Sequence, residues 1–160
     1  MSINSIRNCL IIGQQKGAAV GNKHEDAAMN TDAYGNSGHG HKVLLVDDEK
    51  MVLEVGKAIL QRLGNAVLTA SSGEEALDRF SQHRESISCV VLDLTMPGMD
   101  GQATFKRLRE LSPELPIIIA SGLAVDQVTS QFSDMQPSSV IQKPYQVADL
   151  SAKIKGILKG

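Results

Sequence analysis

The sequence predicts an α/β fold in which helices cover both faces of a five-stranded parallel sheet, and three observations lead there. Uninterrupted apolar runs, Val43-Leu44-Leu45-Val46, Cys89-Val90-Val91-Leu92 and Ile117-Ile118-Ile119-Ala120, have the character of strands buried on both sides. Between them lie segments whose apolar residues recur at helical spacing. Each of these runs also meets a polar side chain at its end, where open α/β sheets keep their chemistry.

Composition frames that reading. The chain has 160 residues and a formal net charge of -2, so it holds about one domain and carries no strong pull toward nucleic acid or an anionic membrane. Two cysteines, Cys9 and Cys89, make no disulfide framework and fit a reducing cytoplasm. The apolar stretch Cys9-Leu10-Ile11-Ile12 is too short to span a bilayer and lacks the pattern of a cleaved signal peptide.

Residues 1–41 are set apart from the rest. After Val20 they are dominated by Gly, Asn, Ala, His, Asp and Ser without apolar periodicity, which predicts a flexible or disordered arm. His39 and His41 in a Gly-rich setting fall short of the three or four ligands a metal usually needs. The folded domain is expected over residues 42–160.

Within it, the first strand, Val43 to Val46, runs directly into Asp47-Asp48-Glu49. Met51, Val52, Val55, Ile59, Leu60 and Leu63 then recur at helical spacing, and Gly64 is a natural stop. Val67 to Ala70 reads as a short second strand. Ser72, with Glu75 three residues on, has the form of a capping box for a helix containing Ala76, Leu77 and Phe80. The third strand, Cys89 to Leu92, meets Asp93 and breaks into a loop punctuated by Pro97, Gly98 and Gly101. Asp100 is placed to cap a helix carrying Phe105, Leu108 and Leu111.

The fourth strand, Ile117 to Ala120, ends in Ser121-Gly122, and a weaker helix is expected over Asp126 to Phe132. Val140-Ile141 forms a short fifth strand leading to Gln142-Lys143-Pro144. The final helix carries Val147, Leu150, Ile154, Ile157 and Leu158 on one face, with Lys153, Lys155 and Lys159 placed to suit its dipole. Right-handed crossovers then make a flavodoxin-like, doubly wound sheet of order 2-1-3-4-5 the expected topology.

In that topology Asp47, Asp48, Asp93, Ser121 and Lys143 converge at one edge of the sheet, although they span most of the domain. At roughly 4 Å, two carboxylates repel by about 1 kcal/mol in water and about 4 kcal/mol at an effective dielectric of 20. Such a cluster calls for protonation or a cation, and its oxygen-only ligands favour Mg²⁺ or Mn²⁺ over Zn²⁺. A divalent cation and a lysine beside a carboxylate make a site for a phosphoryl group, with Ser121 able to hydrogen-bond one of its oxygens. Taken singly, Asp-Asp-Glu suits helix capping, Ser121-Gly122 a turn and Lys143 a surface charge; their common placement at strand ends favours a site.

Those residues carry a resemblance to the receiver domains of response regulators, covering Lys42 to Gly160. The motifs are Val-Asp-Asp-Glu at 46–49, Leu-Asp-Leu-Thr-Met-Pro-Gly-Met-Asp-Gly at 92–101, Ala-Ser-Gly at 120–122 and Lys-Pro-Tyr at 143–145. The resemblance implies that Asp93 accepts a phosphoryl group from a phosphohistidine on a sensor histidine kinase or phosphotransfer protein. It implies a Mg²⁺ site of Asp47, Asp48, Asp93 and the backbone carbonyl of Thr95, with Lys143 pairing with the phosphoryl group and Ser121 reporting it. It also implies a cis Lys143–Pro144 bond. The sequence departs from the family at Val140, where an aromatic residue often stands.

The wording of the motifs is similar to receivers attached to hybrid sensor kinases. No DNA-binding motif is present, the arm is too polar to be an output domain, and output through a partner protein is expected. The domain is expected to catalyse only its own phosphorylation and dephosphorylation. One alternative is a Mg²⁺-dependent phosphatase of the haloacid-dehalogenase type, which places its nucleophile on the first strand and its acidic pair late; here the order is reversed. Another is a degenerate receiver that only binds partners, against which Asp48, Asp93, Ser121 and Lys143 stand intact.

Overall fold

The computed structural model describes residues 40–159. The arm expected over residues 1–41 therefore lies outside the described residues, together with Cys9 and His39, apart from Gly40 and His41. Five strands alternate with five helices: β1 (Lys42–Val46), α1 (Lys50–Arg62), β2 (Ala66–Ala70), α2 (Gly73–His83), β3 (Ile87–Asp93), α3 (Gly101–Leu111), β4 (Ile117–Ser121), α4 (Val125–Thr129), β5 (Ser139–Gln142) and α5 (Val147–Leu158). All strand pairs are parallel and the order is β2-β1-β3-β4-β5, as the alternation of buried runs and helical periods predicts.

The pleat sends alternate residues of each run to opposite faces. On one face Leu44, Val46, Val90, Leu92, Ile117 and Ile119 pack with Phe80 of α2, Phe105 and Leu108 of α3, and Val128 and Phe132 from and beyond α4. On the other, Val43, Leu45, Cys89, Val91, Ile118 and Ile141 pack with Leu60 of α1 and Leu150 and Ile154 of α5. Fully burying such a side chain contributes roughly 1.5–3 kcal/mol, so the two layers supply the main driving force of the fold. Cys89 is free, and burial pushes its thiol up to about 12, leaving it unreactive at neutral pH.

Local signals set the element ends. Ser72 Oγ accepts from Glu75 N–H at 3.1 Å and caps α2, while Glu75 reaches back to the N–H and hydroxyl of Ser71 rather than to Ser72 as a capping box would have it. Asp100 Oδ1 accepts from Ala103 N–H at 2.8 Å and caps α3. α1 ends in a Schellman arrangement, with Gly64 N–H on Gln61 O, Asn65 N–H on Leu60 O and Gly64 at φ +86°. No described helix is long and apolar enough to cross a membrane.

Three expectations are corrected. Met51 and Val55 are not on the packed face of α1 but 70% and 54% exposed. The helix packs instead through Leu53, Gly56, Ile59 and Leu60, because it comes so near the sheet at Gly56 that a Cβ there would lie 2.8 Å from Leu45 Cδ2. Val147, at the first turn of α5, is 51% exposed, while Leu150 and Ile154 carry the packing. The expected helix over Asp126 to Phe132 is only Val125–Thr129; turn bonds from Gln131 N–H to Val128 O and Phe132 N–H to Thr129 O then carry the Phe132 ring into the core.

Candidate functional site

The carboxyl ends of the three central strands are brought level by register, with Val46 opposite Leu92 and Asp93 opposite Ala120. Asp47 follows β1 and its N–H donates to Ala70 O, so the chain stays tied to the sheet one residue beyond the strand. Lys143 is tied likewise, its N–H donating to Ser121 O at 2.7 Å. The Lys143–Pro144 peptide is cis, as the resemblance implies.

These anchors bring Asp47, Asp48, Asp93 and Lys143 together. One carboxylate oxygen from each of Asp47, Asp48 and Asp93 lies within 4.8 Å of the others. Asp47 and Asp93 are buried, at 2% and 4% exposure, whereas Asp48 faces solvent. Lys143 Nζ bonds Asp47 Oδ2 and stands 3.3 Å from Asp93 Oδ1. Asp47 Oδ1 accepts from Glu49 N–H at 3.0 Å at the entry to α1, and Asp93 Oδ1 accepts from Thr95 N–H at 3.3 Å.

The electrostatics follow from burial. Desolvation raises the Asp93 pKa above its ordinary value and the charge of Asp47 adds to the rise, while Lys143 and the Thr95 N–H oppose it. For Lys143, burial alone would lower the pKa; the hydrogen bond it donates to Asp47 and the charges of both carboxylates outweigh it and hold the ammonium above its ordinary range. Among the described residues the site is thus an acidic cluster with one cation, Lys143. Its three carboxylates outnumber that cation. Donor chemistry fits a small hard cation such as Mg²⁺, which takes carboxylate oxygens as ligands and would be held by Asp47, Asp48 and Asp93.

Ser121 is fully buried at the end of β4, but its hydroxyl is engaged elsewhere: Oγ accepts from Leu123 N–H at 3.1 Å. Val140 lies in the core layer that also holds Phe105 and Phe132, rings that meet edge to face with centroids 4.8 Å apart. Tyr145, the last residue of the Lys-Pro-Tyr motif, belongs to the surroundings of the site. Burial raises its phenol pKa, the carboxylates of Asp47 and Asp93 add to the rise and Lys143 opposes it. Its hydroxyl also lies 3.4 Å from where a Gly56 Cβ would stand, wedging the ring between α1 and the cluster. A tyrosine two residues beyond the key lysine was the available signal.

Comparisons with known proteins point to one family. Residues 43–155 match the family model described as response regulator receiver domain. The chain is 35% identical over 120 residues to a probable transcriptional regulator, ycf27, of Guillardia theta, covering 74% of this chain and 45% of that protein. It is 32% identical over 142 residues to the sensor kinase CckA of Brucella abortus, covering 89% of this chain and 15% of that protein. The chain thus spans under half the length of these relatives. Among solved structures, a response regulator receiver domain protein from Clostridium thermocellum superposes with a TM-score of 0.70 at 30% identity, covering 74% of this chain and 94% of that one. The response regulator protein TrrA from Thermotoga maritima, in complex with Mg²⁺–BeF, superposes with a TM-score of 0.67 at 30% identity, covering 74% and 99%.

Proposed function

The chain belongs to the response regulator receiver-domain family and is a phosphorylatable signalling module, and on that premise we propose that Asp93 is its phosphoryl acceptor. The observation that carries the assignment is the pairing of a buried carboxylate, Asp93, with Lys143 beside two further carboxylates at the ends of central strands. The receiver is taken to run over residues 42–160.

In the proposed reaction an Asp93 carboxylate oxygen attacks the phosphorus of a phosphohistidine on a sensor histidine kinase or phosphotransfer protein. An O–P bond forms, the N–P bond breaks, and the imidazole leaves with the electron pair and takes a proton. Burial favours the step by making Asp93 a stronger base than a carboxylate in water. Lys143, already 3.3 Å from Asp93, offsets charge on the incoming phosphoryl oxygens. Asp47, Asp48, Asp93 and the Thr95 carbonyl would hold Mg²⁺ or Mn²⁺, which supplies charge neutralisation to the phosphoryl group when bound. Water attack on the acyl phosphate at the same site would return free Asp93.

Phosphorylation adds close to two negative charges and three acceptor oxygens at Asp93. Ser121 would then give up Leu123 N–H and turn its hydroxyl toward a phosphoryl oxygen, moving the β4–α4 segment and the surface it forms with β5. Output runs through a partner protein in the reducing cytoplasm, and likeness to a sensor kinase over 142 residues supports a role as a receiver within or beside a hybrid kinase.

The test is incubation with acetyl phosphate and Mg²⁺. Intact protein should gain one phosphoryl group that hydroxylamine removes, and Asp93→Ala should gain none. Stoichiometric labelling of Asp93→Ala, or steady turnover of unrelated phosphoesters by the native chain, overturns the reading.

A further inference from the structure

The loop from Leu94 to Asp100 joins β3 to α3 and carries Thr95, whose carbonyl completes the proposed cation site. Its two ends are held differently. At the near end Leu94 N–H donates to Ala120 O and Leu94 O accepts from Gly101 N–H, so the sheet and α3 fix the start of the loop. At the far end the loop rests on α2, which contributes no residue to the acidic cluster.

That contact centres on Gly73, the first residue of α2. A Cβ at Gly73 would overlap Thr104 Oγ1 and stand 3.0 Å from Met99 O and 3.1 Å from Met99 Cβ. Neither neighbour is the free end of a flexible side chain. Met99 O is backbone, and Thr104 is fully buried with its hydroxyl donating to Asp100 O at 2.9 Å. Glu74 continues the contact, its Oε1 lying 3.8 Å from where a Cβ of Gly98 would stand. Its carboxyl sits below the ordinary value through its own backbone N–H, then the Ser72 hydroxyl, with Met99 N–H adding.

We propose that Gly73 is a positioning residue for the cation site: the flush contact of the first turn of α2 with Met99 and Thr104 sets where the Thr95 carbonyl stands. Three residues, Met96, Pro97 and Gly98, separate Thr95 from Met99, and Pro97 stiffens that short span, so a shift of Met99 is passed along the loop. The inference rests on the reading of Asp47, Asp48 and Asp93 as a Mg²⁺ site.

The experiment titrates the full chain with Mg²⁺ and follows the backbone amide resonances of Asp48 and Thr95. Gly73→Ala should raise the Mg²⁺ Kd about tenfold, as expected when the support of a metal ligand is disturbed. Gly73→Ala combined with Thr104→Ala, which removes the overlapping hydroxyl, should recover much of that loss. Phe80→Leu, which weakens the core packing of α2 about two turns beyond Gly73 and leaves the Gly73 contact in place, should leave the Kd unchanged. Should Gly73→Ala fail to fold, Glu74→Gln still tests the contact, with an expected rise of about twofold from its weakened hold on the loop. An unchanged Kd in Gly73→Ala, or in Glu74→Gln where Gly73→Ala is unfolded, overturns the proposal, as does an equal rise in Phe80→Leu. Absence of Mg²⁺ binding by the native chain would instead overturn the assignment of the acidic cluster.

Discussion

Lys143 Nζ bonds Asp47 Oδ2 while standing 3.3 Å from Asp93 Oδ1, so one ammonium serves two buried carboxylates from different strands. The proposed metal ion would thus draw on the same carboxylates as the lysine. In the absence of a divalent cation, Lys143 is the counter-charge that lets both acids stay buried.

Replacing Lys143 by Met leaves Asp47 and Asp93 facing each other without that charge. Metal-free stability should fall by about 2–3 kcal/mol, less than for a fully buried pair because Lys143 keeps partial contact with water. Millimolar Mg²⁺ should restore part of the loss. Urea denaturation with and without Mg²⁺ measures both, and a variant as stable as the native chain in EDTA would contradict the shared-counter-charge account.

Asp93→Asn removes a charge from a buried site while keeping the shape. Because the folded pKa of Asp93 is raised, its ionisation costs the native state stability as pH climbs through and beyond the ordinary carboxylate range, from about pH 4. Without metal, the variant should therefore melt at a higher Tm than the native chain at pH 7. The difference should shrink toward acid pH, where Asp93 is protonated in both states. A gap that widens on acidification would reverse the sign of the argument.

Ser121→Ala should leave labelling at Asp93 intact, since the hydroxyl is not bonded to that carboxylate. It should cost about 1 kcal/mol by leaving Leu123 N–H without its partner. The decisive comparison is the change in amide resonances of Leu123 to Thr129 on phosphorylation: large in the native chain, much reduced in the variant. Equal changes in both would remove Ser121 from the switch.

Arg109 is structural rather than chemical. Its guanidinium donates to Pro113 O at 2.8 Å, Leu115 O at 2.6 Å and Gln136 O at 3.3 Å, and lies 5.4 Å from the centroid of the Phe105 ring. It thus ties the loops on both sides of β4 to α3, far from the acidic cluster. Arg109→Ala should lose about 2 kcal/mol by chemical denaturation while retaining full acetyl phosphate labelling.

Much of the molecule was legible along the chain. Buried runs, helical periods, the caps at Ser72 and Asp100 and the stop at Gly64 depend on residues a few positions apart, and parallel pairing carries the strand ends to one edge. That is why the sequence by itself groups Asp47, Asp48, Asp93 and Lys143 at one edge.

Tertiary structure decided what depends on rotation and on contacts between distant residues. The face α1 buries was set by its approach to Leu45 at Gly56, which turns Met51 and Val55 outward against the simple reading of their spacing. The Ser121 hydroxyl was placed near the strand ends by sequence, but its bond to Leu123 N–H is a choice of side-chain rotamer. The Gly73 contact with Met99 and Thr104 joins α2 to a loop and helix some thirty positions away. Short-range patterns determine which residues arrive at the sheet edge because pleat and helix periods are properties of neighbours; side-chain direction and closeness of approach arise only when the packed layers meet.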